Sequence, residues 1–382
     1  MNLPSFSRIA LLATSAMGLA ASAALEQTEV FVSGRDGYHT YRIPAVLRAP
    51  RGALLAFCEG RKSARGDSGN IDLLVKRSTD GGRTWSPATV VWDDADNTCG
   101  NPCPVVDEQT GTIWLLLTHN IGTDPESAII TKQSKGTRTV WVTHSRNEGV
   151  TWAPPVEITR TTKDPAWGWY ATGPGIGIQI QHGAHAGRLV IPCDHSYDDP
   201  QGNVRGGPYE YGSHAVISDD HGKTWRLGGL IRPKVNECQV VESLDTHGTL
   251  IMNMRAYFGR NRRAQATSAD GGLTWSAPSD VPDLVEPVCQ ASIVRAGAAG
   301  LLLFSNPAST KRERLTVKAS TDGGRTWPRQ LVVHEGPAAY SSLIVLDATT
   351  AGCLYERGDK GAYEKITFAR FPLTALQPAR AK

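Results

Sequence analysis

Charged and phenolic residues stand out in short, non-repeating segments of this chain: Tyr41-Arg42-Ile43-Pro44, Phe57-Cys58-Glu59-Gly60-Arg61, Arg65-Gly66-Asp67, Asn236-Glu237-Cys238-Gln239, Asn253-Met254-Arg255, Arg312-Glu313-Arg314, Tyr340-Ser341-Ser342 and Leu354-Tyr355-Glu356. Most arginines of a folded protein are solvated surface charge, and Arg146, Arg325 and Arg380 fit that description. Arg42 is different, because it lies in an apolar, strand-like stretch before Pro44. Arg255 follows the strand-like Leu250-Ile251-Met252-Asn253-Met254. Both should point into something less exposed. Guanidinium groups gathered in such a place need an anion among them. The planar fork of arginine suits a carboxylate held by two parallel hydrogen bonds. The chemistry this implies is recognition of a carboxylate-bearing ligand.

Two other chemistries find little support. A metal site would rest on His182 and His185 in His-Gly-Ala-His, with His195. That spacing lacks a carboxylate-bearing zinc signature, and turn histidines explain it as well. No nucleophile elbow of a serine hydrolase is present. No metal and no cofactor is expected.

The elements that must position these residues are set by a repeat. Ser-x-Asp-x-Gly-x-Thr-Trp occurs at Ser78–Trp85, Ser218–Trp225, Ser268–Trp275 and Ser320–Trp327, and a fifth copy at Ser145–Trp152 has Asn147 in place of aspartate. Within a copy, Asp80 can accept bonds from the N–H groups of its own turn. Gly82 can take a positive φ, and Trp85 forms an apolar plug with one donor. A strand-like run precedes each copy, with alternation clear at Leu315, Val317 and Ala319. Each copy therefore reads as a hairpin turn. The intervals between the tryptophans are 67, 73, 50 and 52 residues. Such spacing fits the four-stranded blades of a β-propeller. The expected fold is all-β, a single six-bladed propeller over residues 24–382. In a propeller, arginines from distant blades can converge on the mouth of the central channel.

Composition agrees. The 382 residues include 39 Gly and 23 Pro, favouring turns over long helices. The formal charge of +3 gives no reason to expect a nucleic-acid partner. Residues 1–23 read as a secretory signal peptide. Arg8 precedes an apolar run, Ile9 to Ala20, and Ala21-Ser22-Ala23 has the form of a cleavage site. An exported protein, periplasmic or secreted, without stable membrane insertion is expected. Cys99 and Cys103 are close enough in sequence to form a disulfide, although the total of seven cysteines is odd.

The repeats resemble the Asp boxes of the sialidase (neuraminidase) superfamily, and the unrepeated segments resemble bacterial exo-α-sialidases from about Gln27 to Phe368. The resemblance implies a six-bladed propeller that hydrolyses terminal α-linked sialic acids of glycoproteins, glycolipids or oligosaccharides with retention. Arg42, Arg255 and Arg312 then correspond to the triad that clamps the substrate carboxylate, with Arg314 the local competitor of Arg312. Glu356 would orient Arg42, and Arg61 would be a further sugar-site arginine. Asp67 resembles the general acid/base, to be kept protonated by a closed, dry site, with Asp72 a structural neighbour. Tyr340 resembles the nucleophile and Glu237 its base, with Glu242 the register competitor. A neutral phenol suits this substrate, since its own carboxylate would repel a carboxylate nucleophile. Val106, Trp169, Asp194 and His195 are candidates for the sugar pocket. A trans-sialidase, an anhydro-forming sialidase and a non-catalytic sialoglycan-binding propeller share much of this pattern.

Overall fold

Each copy of the repeated turn closes a hairpin between two antiparallel strands. The strands that run into the five copies are Ile71–Ser78, Thr139–Ser145, Tyr209–Ser218, Arg262–Ser268 and Glu313–Ser320. The last copy shows the local physics. Asp322 Oδ1 accepts bonds from the N–H groups of Arg325 (3.1 Å) and Thr326 (3.0 Å), and its Oδ2 accepts from the Thr326 hydroxyl at 2.6 Å. The Ser320 hydroxyl donates to Asp322 and accepts from the Gly324 N–H. Gly324 takes φ 83°, and Trp327 Nε1 donates to its carbonyl at 3.1 Å, which holds the indole ring over Phe304. In the variant copy, Asn147 Oδ1 still accepts from the Thr151 N–H, while its Nδ2 donates to the Thr151 hydroxyl. The amide reproduces the turn with one donor reversed.

A computed structural model describes residues 25–244, 247–297 and 300–378; the expected signal peptide and Arg380 lie outside them. The described chain is all-β. Val235–Glu242, Leu250–Ala256, Arg262–Ser268 and Ser279–Val285 form a four-stranded antiparallel meander, and a five-stranded sheet is built on Leu189–Asp198, Tyr209–Ser218 and Arg226–Ile231. The two remaining sheets have eight strands each. One is two successive meanders, starting at Thr40–Arg48 and Thr98–Asp107, joined by a single parallel bridge between Ile71 and Thr98. In the other, the long strand Arg329–Val345 pairs first with Glu313–Ser320 and then with Thr350–Arg357. This last sheet is completed by Glu26–Val32, which pairs with Lys365–Pro372. The helical pieces are short, Glu126–Ile130 and Thr159–Thr162.

Apolar clusters fill the space between successive meanders; Leu55, Phe57 and Leu73 meet Leu115 and Leu117, for example. The seven cysteines are all buried and all free. Cys99 and Cys103, neighbours in sequence, do not pair: the two occupy one strand, Thr98–Asp107, on either side of an irregularity in its pairing, and Cys99 packs in one apolar cluster while Cys103 packs in another.

Candidate active site

Four strands depart from regular pairing near the same end, and those departures carry site residues. Register shifts fall between Arg42 and Ala45, Gly100 and Cys103, Val235 and Cys238, and Ala338 and Ser341. Each leaves two residues opposite one on the partner strand. A bulge of this kind turns side chains out of the alternating pattern. Ile43 and Asn101 take φ 61° and 53° there, a costly conformation for a β-branched residue such as Ile43. Asn236 and Glu237 form one bulge, opposite Arg255. Ala339 and Tyr340 form another, opposite Glu356.

These bulges open on a cavity of about 980 Å³. Arg42, Arg61, Asp67, Trp169, Asp194, Glu237, Arg255, Arg312 and Tyr340 all line it. The Tyr340 hydroxyl donates to Glu237 Oε1. Arg255 donates to the other oxygen of Glu237 at 2.6 Å and lies 3.4 Å from the Tyr340 hydroxyl; its Nε is buried without a partner. The guanidinium carbons of Arg42 and Arg312 lie 5.0 and 5.7 Å from the Tyr340 ring centre. Burial pushes the Tyr340 phenol well above its ordinary pKa, and Glu237 adds to the rise. Arg255, Arg312 and Arg42 pull it back only in part. The phenol therefore needs its base in contact, and Glu237 is in contact.

Glu356 is fully buried and accepts four bonds, from Arg42 Nε (2.7 Å) and Nη2 (3.5 Å), from the Ile43 N–H (2.9 Å) and from the Tyr340 N–H (3.0 Å). One carboxylate thus fixes Arg42, the strained backbone beside it and the main chain of Tyr340. Arg312 has no carboxylate partner among the described residues; it donates to the Tyr363 hydroxyl at 2.5 Å. Its sequence competitor Arg314 pairs with the exposed Glu335 at 3.3 Å and does not line the cavity. Glu242, the competitor of Glu237, accepts the N–H groups of Gln181 and His182 near the other end of its strand. Asp72 is occupied by Tyr38 (2.6 Å) and Lys62 (3.0 Å).

Asp67 departs from expectation. Its side chain is 57% exposed, 2.8 Å from Arg61 and 3.7 Å from Arg42. Partial burial acts to raise its pKa, but Arg61 and Arg42 outweigh it and hold the carboxyl below its ordinary range. The protein alone does not keep this acid protonated. Two pocket candidates are also corrected. Val106 lies near the far end of its strand from Asn101 and lines a separate cavity of about 510 Å³ with Leu47, Val241 and Val294. His195 is buried outside the site, stacked on Trp167 at 3.7 Å and bonded to His214 and Arg232. Adjacent residues of a strand face opposite sides, so Asp194 reaches the cavity and His195 does not.

Other lining residues were not singled out from sequence. Glu59 accepts two bonds from Arg61 and one from the Asn101 N–H. Its position two residues before Arg61 puts both on one strand face, a readable signal. Gly100 leaves room for it, since a Cβ there would fall 2.3 Å from Glu59 Oε1. Arg138, Glu126, Tyr211 and Tyr363 also line the cavity and carry no local motif.

An arginine cluster beside a phenol–glutamate pair, on an all-β frame with five box turns, points to the sialidase class of glycosidases. Residues 52–353 match the BNR repeat-like domain family. A sialidase of Micromonospora viridifaciens is 34% identical over 93% of this chain and 57% of its own length, and sialidase-3 of Mus musculus is 30% identical over 87% of this chain and 91% of its own. A solved Hadza microbial sialidase superposes with a TM-score of 0.79 at 32% identity, covering 92% of this chain and 69% of that one. The chain belongs to the sialidase family. It spans about three fifths of the length of the Micromonospora relative.

Proposed function

We propose that this chain is an exported exo-α-sialidase, a single six-bladed propeller acting on sialylated glycoproteins, glycolipids or oligosaccharides with retention of configuration. The observation that carries the reading is the Tyr340 hydroxyl bonded to Glu237, with Arg42, Arg255 and Arg312 around the same ring. The six-bladed reading draws support from the meanders that subdivide the four sheets.

In this mechanism the three arginines hold the substrate carboxylate, which sets the anomeric carbon C2 over the Tyr340 oxygen. Glu237 takes the phenol proton as the oxygen–C2 bond forms and the bond to the leaving oxygen breaks. Asp67 gives its proton to that oxygen. The bound carboxylate offsets the positive charge of Arg42 beside Asp67, so the acid is held protonated in the complex although it is ionised in the free protein. Water then attacks C2 as the bond between C2 and the Tyr340 oxygen breaks. Asp67 takes its proton, and Glu237 returns the other to the tyrosine. Charge building on the sugar is met by its own carboxylate and the developing phenolate.

A 2,3-difluorosialic acid should leave its adduct on Tyr340 in a peptide map, and NMR should find the α anomer as the first free product. An adduct on another residue, or an initial β anomer, refutes the mechanism. A sialylated acceptor or an anhydro sugar as main product would make the protein a transferase with the same residues. N-terminal sequencing of the exported protein should begin at Ala24; a mature form retaining residues 1–23 refutes the cleavage.

A further inference from the structure

Arg255 and Tyr340 meet at Glu237, yet they belong to different sheets. One short connector joins their surroundings. It runs from Glu286 to Gln290, between the strands Ser279–Val285 and Ser292–Ala296, and neither of its ends lines the cavity. At the first end, Glu286 is fully buried. Its Oε1 accepts the N–H of Ala256, the residue after Arg255, at 2.9 Å, and its Oε2 accepts from Arg263 Nη1 at 2.7 Å. Arg263 is equally buried, and donates also to the Cys289 carbonyl at 2.6 Å and to Asn253 Oδ1 at 2.7 Å. One ion pair thus ties the connector to the strand on both sides of Arg255.

At the other end, Gln290 is fully buried, and its amide grips both main-chain groups of Ser341, the residue after Tyr340. Its Oε1 accepts the Ser341 N–H at 2.9 Å, and its Nε2 donates to the Ser341 carbonyl at 2.9 Å and to the Pro174 carbonyl at 3.0 Å. With Glu356 on the Tyr340 N–H, the backbone at Tyr340 is held from two sides. Between the two ends, Cys289 packs against Ala339 and Tyr340. The connector is also strained. Val288 takes φ 54°, and among the described residues only Ile43 is another β-branched residue at positive φ. Such a conformation is costly, persists only where the surroundings over-determine it, and clusters at functional sites.

We propose that Glu286 and Gln290 are positioning residues: the connector between them is a strap that sets the separation of Arg255 and Tyr340 around Glu237, and so the reach of the phenol oxygen to the anomeric carbon. The inference rests on the sialidase reading of the site and concerns residues that the mechanism above does not use.

The test is Gln290→Met, an apolar side chain of the same length that leaves all three bonds unmade. With the strap cut beside Tyr340, kcat on a 4-methylumbelliferyl sialoside should fall about tenfold or more, toward the roughly 10²-fold that a misplacement of about 1 Å can cost. KM should stay within about threefold, because what is lost is made only in the transition state. Labelling of Tyr340 by 2,3-difluorosialic acid should slow in parallel. Glu286→Gln acts instead through Arg255, which also holds the substrate carboxylate, and should raise KM as well as lower kcat. Ser292→Ala is the control. Ser292 makes a similar tie farther along, accepting the Leu343 N–H at 3.0 Å; its loss should lower the melting temperature and leave kcat within about twofold. Wild-type kcat in Gln290→Met or wild-type KM in Glu286→Gln overturns the proposal, as does an equal loss of kcat in Ser292→Ala, which would make the effect one of general stability. Should either strap variant fail to fold, Val288→Gly decides. Glycine accepts φ 54° without strain, and a slack strap should lower kcat about threefold or more with KM unchanged; wild-type kcat there overturns the proposal. A wild type inactive on sialosides would instead sink the sialidase reading itself, and the strap's role with it.

Discussion

Replacing Asp67 with alanine separates catalysis from stability. Its side chain is 57% exposed and paired with Arg61 at 2.8 Å, while Arg61 keeps Glu59 at 2.6 Å after the change. A pair so open to water is worth under about 1 kcal/mol, so the melting temperature should barely move. The chemical loss depends on the leaving group. A galactoside leaves as a poor anion and needs its proton; general acid catalysis contributes about 10²–10⁴-fold, or about 3–5 kcal/mol at roughly 1.4 kcal/mol per tenfold. An aryl leaving group needs little protonation and should lose less than about tenfold. The assay is kcat/KM for sialyllactose and for a 4-nitrophenyl sialoside, measured on wild type and variant beside a thermal melt. The pH dependence has a definite sign: because the proton-bearing form acts, wild-type kcat on sialyllactose falls as pH rises through the Asp67 pKa in the complex. Equal losses on the two substrates would remove Asp67 from the acid role. A large drop in melting temperature would make its pairing with Arg61 structural instead.

Arg312→Ala should lower kcat/KM on sialosides by about tenfold or more, since hydrogen bonds to charged groups contribute about 1.5–3 kcal/mol each. KM should rise, because the clamp holds ground and transition states alike. Arg314→Ala, which removes only the pair with Glu335, should match wild type, and the reverse outcome would exchange the two assignments. The box aspartates should make stability acid-sensitive. At Asp322 burial acts to raise the pKa, but the Thr326 hydroxyl and N–H outweigh it and bring it to about 2, and Asp270 is held at about 2 in the same way. A carboxyl depressed in the folded state stabilises above its unfolded pKa and loses that contribution as pH falls through the folded one. Urea midpoints of wild type should therefore exceed those of Asp322→Asn near pH 6 and converge toward pH 2. A difference independent of pH would refute the linkage.

Much of this architecture was legible because it is local. The box writes its own turn within eight residues, so strands on either side followed from it. The arginines, Glu237, Glu356 and Tyr340 were found through motif resemblance; spacing could not show that residues as distant as Arg42 and Glu356 pair with one another. The misses share a cause, which is depth along a strand. Five residues separate Asn101 from Val106, roughly 17 Å at strand rise, enough to carry Val106 to a different cavity. Asp194 and His195 differ by one residue and so by one face. Asp67 was expected to be dry; its ionisation is set by Arg61 and Arg42, and neither distance is written in the local sequence. Arg138 has no motif, because its partners Thr118 and Asn120 come from one strand and Asn101 from the bulge of the strand paired with it.

The bonds of Glu356 have a temporal consequence. Its partner Arg42 lies 314 residues earlier in the chain, and the sheet that carries both Tyr340 and Glu356 is completed by Glu26–Val32 against Lys365–Pro372. A polypeptide emerging amino end first presents Arg42 and Asp67 early, yet lacks both Tyr340 and the Glu356 carboxylate that holds Arg42 until nearly all of it has been made. Joining ends so far apart is slow, because the closure entropy precedes the contacts that reward it. Under the proposed mechanism, partly synthesised chains are therefore inactive until their last strands are in place.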